Sequence, residues 1–234
     1  MAIIGSDIMR RAGILLLDED HVRWTLLELA EWINDAVRAI VIAKPSASTR
    51  DIVIHLQAGT LQNVPTDGTP APQQLISITR NLRSAESPRL AGRAIGPTSR
   101  AALDAREPNW HDERVVQRRR EVKQFFVDVE DPLRFWVYPG NDGGGLVEAI
   151  VSVLPAPLMA AGDTNLLSSW NAAVGLKDVY ATPILDYVLY RAQSKDDTGA
   201  NPGRAATHFQ AFSTALGIGA DAEGRASPST RRNG

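Results

Sequence analysis

The sequence predicts an α+β fold in which N- and C-terminal helices form an α-helical bundle. An antiparallel β lobe, either a sheet or a small sandwich, is inserted between them. Apolar residues recur at helical spacing near both ends of the 234-residue chain. The middle of the chain instead alternates apolar and polar residues in short segments, which turns rich in Gly and Pro separate. The length suffices for one large domain or two small ones.

Composition excludes several classes of protein. Hydrophobic residues make up 44% of the chain and charged residues 22%, as in soluble globular proteins. The net charge of -2 gives no general attraction to nucleic acid or to an anionic membrane. The absence of cysteine excludes disulfides, thiolate metal sites and cysteine nucleophiles. No apolar run reaches about 18 residues, and no basic region precedes the N-terminal apolar residues, so we expect no membrane span and no export signal.

The N-terminal region predicts two antiparallel helices joined by a short loop. Ser6 is expected to cap the first helix, whose apolar stripe continues to Leu16. Gly13 weakens this helix by about 1 kcal/mol relative to alanine. Residues 18–21 are a polar turn, and the second helix follows it.

The second helix carries the strongest local signal in the chain. Thr25 and Glu28 have the spacing of a capping box, in which each side chain binds the backbone N–H of the other residue. Trp24 and Leu29 have the spacing of a hydrophobic staple. The helix is expected to end before Pro45, because the residue preceding a proline is disfavoured in helical conformation.

The central region predicts five or six strands that pair in an antiparallel lobe. Strands are expected at residues 51–56, 61–65, 73–80, 122–129, 134–138 and 146–154. Residues 84–97 are expected to be a loop, 97–104 a short helix, and 139–145 a mobile loop.

Two helices are expected near the C-terminus. Because of Pro183, the first either begins at Thr182 or bends at the proline, and we favour a start near Asp178 with a mild bend. The second begins at Asn201, a cap residue followed by proline, and ends at Gly217 with a glycine C-cap. These elements predict a helical bundle of residues 1–48 and 174–218. They also predict a β-rich lobe over 49–158, a connecting loop over 159–173 and a flexible tail over 219–234.

Residues suited to catalysis or metal binding do not occur in a recognisable pattern. No histidine has metal-ligand spacing, and Gly143–145 precede a strand rather than the helix of a phosphate-binding loop. A cell-wall hydrolase remains an alternative, with a carboxylate pair drawn from Asp18, Glu19, Glu28 and Asp35. We expect these residues to serve as caps and surface charges instead. The sequence thus predicts no catalytic, cofactor-binding or metal-ligating residue.

A basic cluster offers a different function. It comprises Arg114, Arg118, Arg119, Arg120 and Lys123. These side chains would neutralise phosphates, so a nucleic-acid-binding module is a second alternative. Acidic residues interleave with the cluster, which favours a solvated or subunit-facing surface.

Several stretches, taken in order, form a recognisable set. They are residues 17–19, 22–25, 28–29, 32–35 and Pro45, then 131–132 and 135–139, then 185–192 and 194–196, and finally 205–206, Phe209, Phe212 and 216–217. This set resembles the head-to-tail adaptor proteins of tailed phages, which form connector rings in the phage neck. The similarity spans about residues 6 to 217. The loop from 84 to 97 and the basic tail match no family pattern.

The resemblance implies a structural protein of the virion, assembled in the host bacterial cytoplasm. It implies a homo-oligomeric ring of about twelve copies, whose head-to-tail contacts require two different complementary patches on each subunit. The ring would bind the portal protein above and a tail or nozzle protein below, with DNA passing through its channel. It implies no membrane, no cofactor and no catalysis.

Residues for the subunit or portal interface follow from this expectation. Trp32, Asn34 and Asp35 flank the apolar stripe of the second helix, which does not need the polar pair. The basic tail residues are suited to gripping an acidic partner surface. The candidates are Trp32, Asn34, Asp35, Arg118, Arg119, Arg120, Arg225, Arg231 and Arg232.

Overall fold

A computed structural model of the chain describes residues 2–86, 88–195 and 201–217. The described residues form five α-helices and ten strands, and all but one of the strand pairings are antiparallel. The predicted α+β class is therefore confirmed. The chain divides into two compact units, one combining residues up to Ser48 with those from Leu154, and the other comprising Thr49–Val153.

The element bounds are as follows. The helices are α1 (Gly5–Leu16), α2 (Leu26–Ala43), α3 (Arg100–Arg106), α4 (Ala181–Ser194) and α5 (Pro202–Leu216). The strands are β1 (Ala2–Ile4), β2 (Thr49–His55), β3 (Gly59–Asn63), β4 (Pro72–Leu82), β5 (Ala91–Ala94), β6 (Gly96–Pro97), β7 (Gln124–Val127), β8 (Arg134–Asn141), β9 (Leu146–Val153) and β10 (Ala173–Lys177). Within the described ranges, no helix has the length and apolar character needed to cross a bilayer.

In the first unit, one apolar core joins α1, α2, α4 and α5. Its buried side chains include Ile8, Met9, Leu29, Ile33, Ile40, Ile184, Val188 and Phe212. The helical spacing of apolar residues in the sequence supplies these stripes. A two-stranded antiparallel sheet of β1 and β10 completes this unit.

The capping box at the start of α2 is confirmed. The Glu28 N–H donates to Thr25 Oγ1, and the Thr25 N–H donates to Glu28 Oε2, both at 3.3 Å. Lys195 Nζ also donates to Glu28 Oε1 at 2.8 Å. Trp24 and Leu29 are both buried in the core, and the helix ends before Pro45 as expected.

The predicted cap of α1 is wrong. The helix begins at Gly5, and its N-cap is Ile4, whose side chain makes no capping hydrogen bond. The Ser6 hydroxyl lies inside the first turn and donates to Asn171 Oδ1 at 2.6 Å. The physical reason is β1, which pairs with β10 and leads directly into the helix, so backbone pairing fixes the start of α1.

The start of α4 also differs from the prediction. A 3-10 turn, Asp178–Tyr180, precedes the α-helix, which begins at Ala181. Pro183 therefore lies in the first helical turn, where the missing N–H would have had no partner within the helix. No bend is needed at this position. The capped start of α5 at Asn201 and its C-cap at Gly217 are both confirmed, with Gly217 at φ 70°.

In the second unit, two four-stranded sheets share one core, as in a sandwich. The strand orders are β2-β9-β4-β5 and β3-β8-β7-β6. Buried side chains from both sheets fill the space between them, including Leu75, Ile78, Phe125, Phe135, Val137 and Val147. Each predicted strand corresponds to an observed one, although several bounds shift.

Residues 84–97, predicted as a loop, contain β5 and β6. The segment lacks the apolar alternation of a strand, so the sequence does not reveal it. The buried side chain of Asn81 instead holds it in place. Its Nδ2 donates to Arg93 O at 2.9 Å and to Val122 O at 2.8 Å, while its Oδ1 accepts from the Val122 N–H.

Candidate interaction surfaces

The α2 flank chosen from the sequence is used for contacts within the chain. The Trp32 side chain is 8% exposed and belongs to the core of the first unit. Asn34 clamps the backbone of Leu158: its Nδ2 donates to Leu158 O at 3.1 Å, and its Oδ1 accepts from the Leu158 N–H at 2.7 Å. Asp35 forms ion pairs with Arg38 at 2.6 Å and with Arg191 at 3.5 Å. Asn34 and Asp35 are partly exposed, whereas Trp32 is buried.

The role of Asn34 is not visible in the sequence, because its partner lies 124 positions away. Nothing in the residues around a helical Asn indicates that its side chain will bond to the backbone of a segment far away in the sequence. The polar pair beside Trp32 therefore has a structural explanation inside one subunit, through Leu158 and Arg191.

The arginine candidates of the second unit lie on a backbone that is held firmly. The Arg119 N–H donates to Gly140 O at 2.8 Å. The fully buried Asn141 side chain donates to Arg119 O at 2.9 Å and to Arg120 O at 2.8 Å. Arg118, Arg119 and Arg120 are all exposed. Arg118 pairs with Glu113 at 2.9 Å, whereas neither other guanidinium has a hydrogen bond or ion pair among the described residues.

The glycine loop that was expected to be mobile is tied to the same asparagine. Asn141 Oδ1 accepts from the N–H groups of Gly143 at 2.8 Å and Gly145 at 3.1 Å. A Cβ on Gly145 would lie 2.6 Å from Arg120 O, so only glycine fits there. The prediction of a mobile loop over 139–145 is wrong for residues 139–141, which belong to β8.

A further exposed feature is the α1–α2 turn, residues 17–25. The Asp18 carboxylate accepts from the N–H groups of Val22 at 3.1 Å, Arg23 at 3.0 Å and Trp24 at 2.9 Å. Leu17 and His21 adopt left-handed conformations, with φ of 56° and 52°. The Leu17 and Val22 side chains are nevertheless 93% and 81% exposed. This turn thus combines a fixed backbone with two apolar side chains in solvent.

The His21 ring explains Gly13 in α1. A Cβ on Gly13 would lie 2.9 Å from His21 Cε1, so glycine makes room for the imidazole against the helix. Burial lowers the pKa of His21, against the opposing attraction of Asp18 and Asp20. The Nδ1 atom is buried and has no hydrogen-bond partner in the described chain. Gly13 was predicted to weaken α1, and the structure shows that its lack of a side chain also makes room for the His21 ring.

A groove in the first unit lies between α1, α4 and α5. It has a cavity volume of about 330 Å³ and is lined by Leu15, Leu189, Gln193, Arg204, Thr207 and His208. His208 Nδ1 lies 3.0 Å from Asp186 Oδ1 at its edge. Among the described residues, no group of three or more His, Asp or Glu side chains is arranged to hold a metal ion.

Comparison with known protein families identifies the family of this chain. The family model described as SU10 adaptor protein matches residues 5–233. The chain belongs to the SU10 adaptor protein family. A search of curated proteins finds no match to it. Family membership confirms the resemblance to phage head-to-tail adaptors and gives the chain a structural role as a virion adaptor.

In this adaptor, three of the four carboxylates considered for a hydrolase, those of Asp18, Glu28 and Asp35, have structural contacts, whereas Glu19 is exposed. Asp18 accepts three backbone N–H groups, and Glu28 completes the capping box. Burial alone raises the pKa of Glu28, but hydrogen bonds from Lys195 and Thr25 outweigh it and lower the pKa. A general acid needs the opposite shift. The arrangement therefore favours the role of cap for Glu28.

The remaining candidates of the adaptor, Arg225, Arg231 and Arg232, lie outside the described residues, as does the predicted flexible tail. Within the described residues, the structure brings Arg118, Arg119 and Arg120 together on one held segment and places Asn34 and Asp35 in contacts of their own unit.

Proposed function

We propose that the protein is the head-to-tail adaptor subunit of a tailed phage, which forms a ring that binds the portal and attaches the tail. DNA passes through the channel of the ring. The observation that carries this proposal is the family match over residues 5–233, which spans both compact units. The ordered sequence stretches that resemble phage adaptors support the same assignment. The partners are further copies of this chain, a portal protein and a tail or nozzle protein.

The exposed apolar side chains of both units suit such an assembly. Single exposed apolar residues are common on monomers, but an adaptor must contact copies of itself, a protein above and a protein below. The most exposed large apolar side chains of the first unit are Leu17, Val22, Ile42, Met159 and Val179. Those in the second unit are Leu61, Leu90, Val115 and Val129. Each unit therefore has several exposed apolar side chains that could contact a partner protein.

The test is a mass measurement on the purified chain, alone and mixed with the portal protein encoded with it. We expect a species whose mass equals a portal ring plus several adaptor copies. A mixture that contains only free portal and monomeric adaptor, over a range of salt and protein concentrations, would overturn the proposal.

A nucleic-acid-binding module remains the second candidate, because Arg119 and Arg120 project from a held backbone without ion-pair partners in the described chain. If duplex DNA is the ligand, the logarithm of affinity falls linearly with the logarithm of salt concentration, by about 0.9 per neutralised phosphate. The Arg118→Ala/Arg119→Ala/Arg120→Ala variant should then reduce this slope, whereas Arg83→Ala, at another exposed arginine, should not reduce it to the same extent. An unchanged slope in the triple variant would remove this candidate.

A further inference from the structure

We propose that the α1–α2 turn of one copy docks on the basic segment of a neighbouring copy, defined as residues 114–120. This inference rests on the proposed function, since it assigns two surfaces to the contact between ring subunits. It joins a feature of the first unit in one molecule to a feature of the second unit in the next molecule.

The α1–α2 turn is a preformed projection. The Asp18 carboxylate fixes three successive N–H groups, and the Asp18 N–H itself donates to Gly13 O at 2.9 Å. The His21 ring seats against Gly13. A surface that is already ordered loses little conformational entropy on binding. The turn is therefore built to present its side chains in one arrangement.

The exposed side chains of the turn include two apolar and two acidic ones, together with Arg23, whose guanidinium lies over the Trp24 ring. Leu17 and Val22 are almost fully exposed, although leucine in a left-handed conformation is uncommon and costs free energy. Glu19 and Asp20 are exposed, and neither forms an ion pair with another described residue. The turn thus offers an apolar pair beside two exposed carboxylates, which calls for a basic partner with an apolar side chain of its own.

The basic segment has the complementary properties. The guanidiniums of Arg119 and Arg120 are exposed and form no ion pair with the described residues, while Asn141 holds their backbone. Val115 in the same segment is 55% exposed. Two free guanidiniums and an exposed aliphatic side chain therefore face solvent on a second firm support.

Charge decides the geometry of the contact. Two copies of the turn repel each other, as do two copies of the basic segment, so neither surface favours pairing with itself. The contact between unlike surfaces leaves a free turn on one copy and a free basic segment on the other. Such a head-to-tail contact propagates and closes into a ring when the rotation allows.

The first test is a charge swap followed by mass measurement of the full chain with portal. Glu19→Lys/Asp20→Lys should weaken association between copies at least about tenfold, because two like-charged pairs replace two opposite ones. Arg119→Glu/Arg120→Glu should weaken it similarly. Combining both double substitutions in one chain should restore assembly. The matched control, Asp67→Lys/Glu130→Lys, makes the same change in net charge at exposed carboxylates away from the turn and should assemble like wild type.

The second test uses the absence of cysteine from the chain. Asp20→Cys and Arg120→Cys variants are mixed and treated with a short bis-maleimide linker, so that any cross-link between them joins two different molecules. We expect more cross-linked dimer than from the pair Asp67→Cys and Arg120→Cys. Equal yields from the two pairs would overturn the proposed contact.

The outcomes separate this inference from the proposed function. If wild type assembles and both reversal variants assemble equally well, the contact is wrong and the adaptor function stands. If the variant at Arg119 and Arg120 loses DNA affinity but keeps assembly, the segment binds nucleic acid and the contact is again wrong. If wild type fails to assemble even with portal, both proposals are overturned.

Discussion

Asn34 shows how a polar residue that looks available in the sequence is used inside the fold. Its amide makes two hydrogen bonds to the backbone of Leu158, and the neighbouring Trp32 is buried. Asn34→Ala leaves the Leu158 N–H and C=O without these partners. We expect the free energy of unfolding to fall by about 1–3 kcal/mol.

Chemical denaturation of the isolated protein measures this loss. Asn165→Ala is the control, because the Asn165 side chain is exposed and, within the part of the chain that the structure describes, its amide bonds only to nearby Asp163. An Asn34→Ala variant as stable as the control, combined with a loss of assembly, would return Asn34 to the interface predicted from sequence.

Gly145 supports the basic segment through its lack of a side chain. A Cβ at this position would meet Arg120 O at 2.6 Å and also the Asn141 amide. Gly145→Ala must displace one of these groups, so we expect a loss of about 1–3 kcal/mol in the free energy of unfolding. At Gly144 the nearest such contact is an ordinary 3.4 Å to Asp142 Oδ1, so Gly144→Ala should change stability little. Equal denaturation midpoints for the two variants would contradict this account.

Glu148 makes the stability of the second unit depend on pH. Its carboxylate pairs with Arg89 at 2.8 Å and Arg80 at 2.7 Å, and these hydrogen bonds lower its pKa. A carboxyl group whose pKa is depressed on folding adds stability above its unfolded pKa, and this is lost as the pH falls through the folded pKa. Urea midpoints between about pH 6 and about pH 3 should therefore decline less in Glu148→Gln than in wild type. The control variant Asp67→Asn should show the same decline as wild type. An equal decline in Glu148→Gln and wild type would show that the ion pairs of Glu148 with Arg80 and Arg89 contribute nothing to this pH dependence.

At the scale of elements, signals within a few residues were sufficient for some parts of the fold. The capping box of α2, the Asn-Pro start of α5 and its Gly217 C-cap all depend on neighbours in the chain. The strands β2, β4 and β9 are visible because their apolar residues alternate or run continuously. In each case the side chains that specify the element belong to the element itself.

Other elements depend on partners far away in sequence. β1 is three residues long and pairs with β10 across more than half of the chain. β5 lacks an apolar pattern and is held by pairing with β4 and by the Asn81 side chain. A three- or four-residue strand carries too few side chains to show a period, so sequence reasoning could not find either. The hydrogen bonds between Asn34 and Leu158 could not be predicted either, because the two residues are far apart in sequence.

The capping box allows a direct test at this scale. Thr25→Ala removes the oxygen that accepts the Glu28 N–H and should destabilise the protein by about 1 kcal/mol, whereas Thr25→Ser retains that oxygen. Thermal or chemical unfolding of the two variants gives the comparison. If serine and alanine destabilise equally, the hydroxyl does not stabilise the helix.

At the scale of the whole molecule, the family is recognisable from the amino-acid sequence because its short motifs occur in a fixed order. Each motif by itself is weak. The α+β class followed from the change of period between the ends and the middle of the chain, and the fold bears it out. Of the two surfaces in the proposed contact between copies, Arg119 was a candidate from the sequence, but the α1–α2 turn was not, because the exposure of Leu17 and the fixed backbone around it arise only after folding.

The predicted boundaries of the β lobe, residues 49–158, and of the helical segments on either side stay a prediction about independently folding domains. The compactness of Thr49–Val153 and its separate core support that prediction.

The central claim is that this chain is a ring subunit seated on a portal. Electron microscopy of the chain mixed with its portal protein tests that claim most directly. We predict a closed ring of adaptor copies coaxial with the portal ring, with an open channel along the common axis. Portal rings without added density, beside monomeric adaptor in the same mixture, would contradict it.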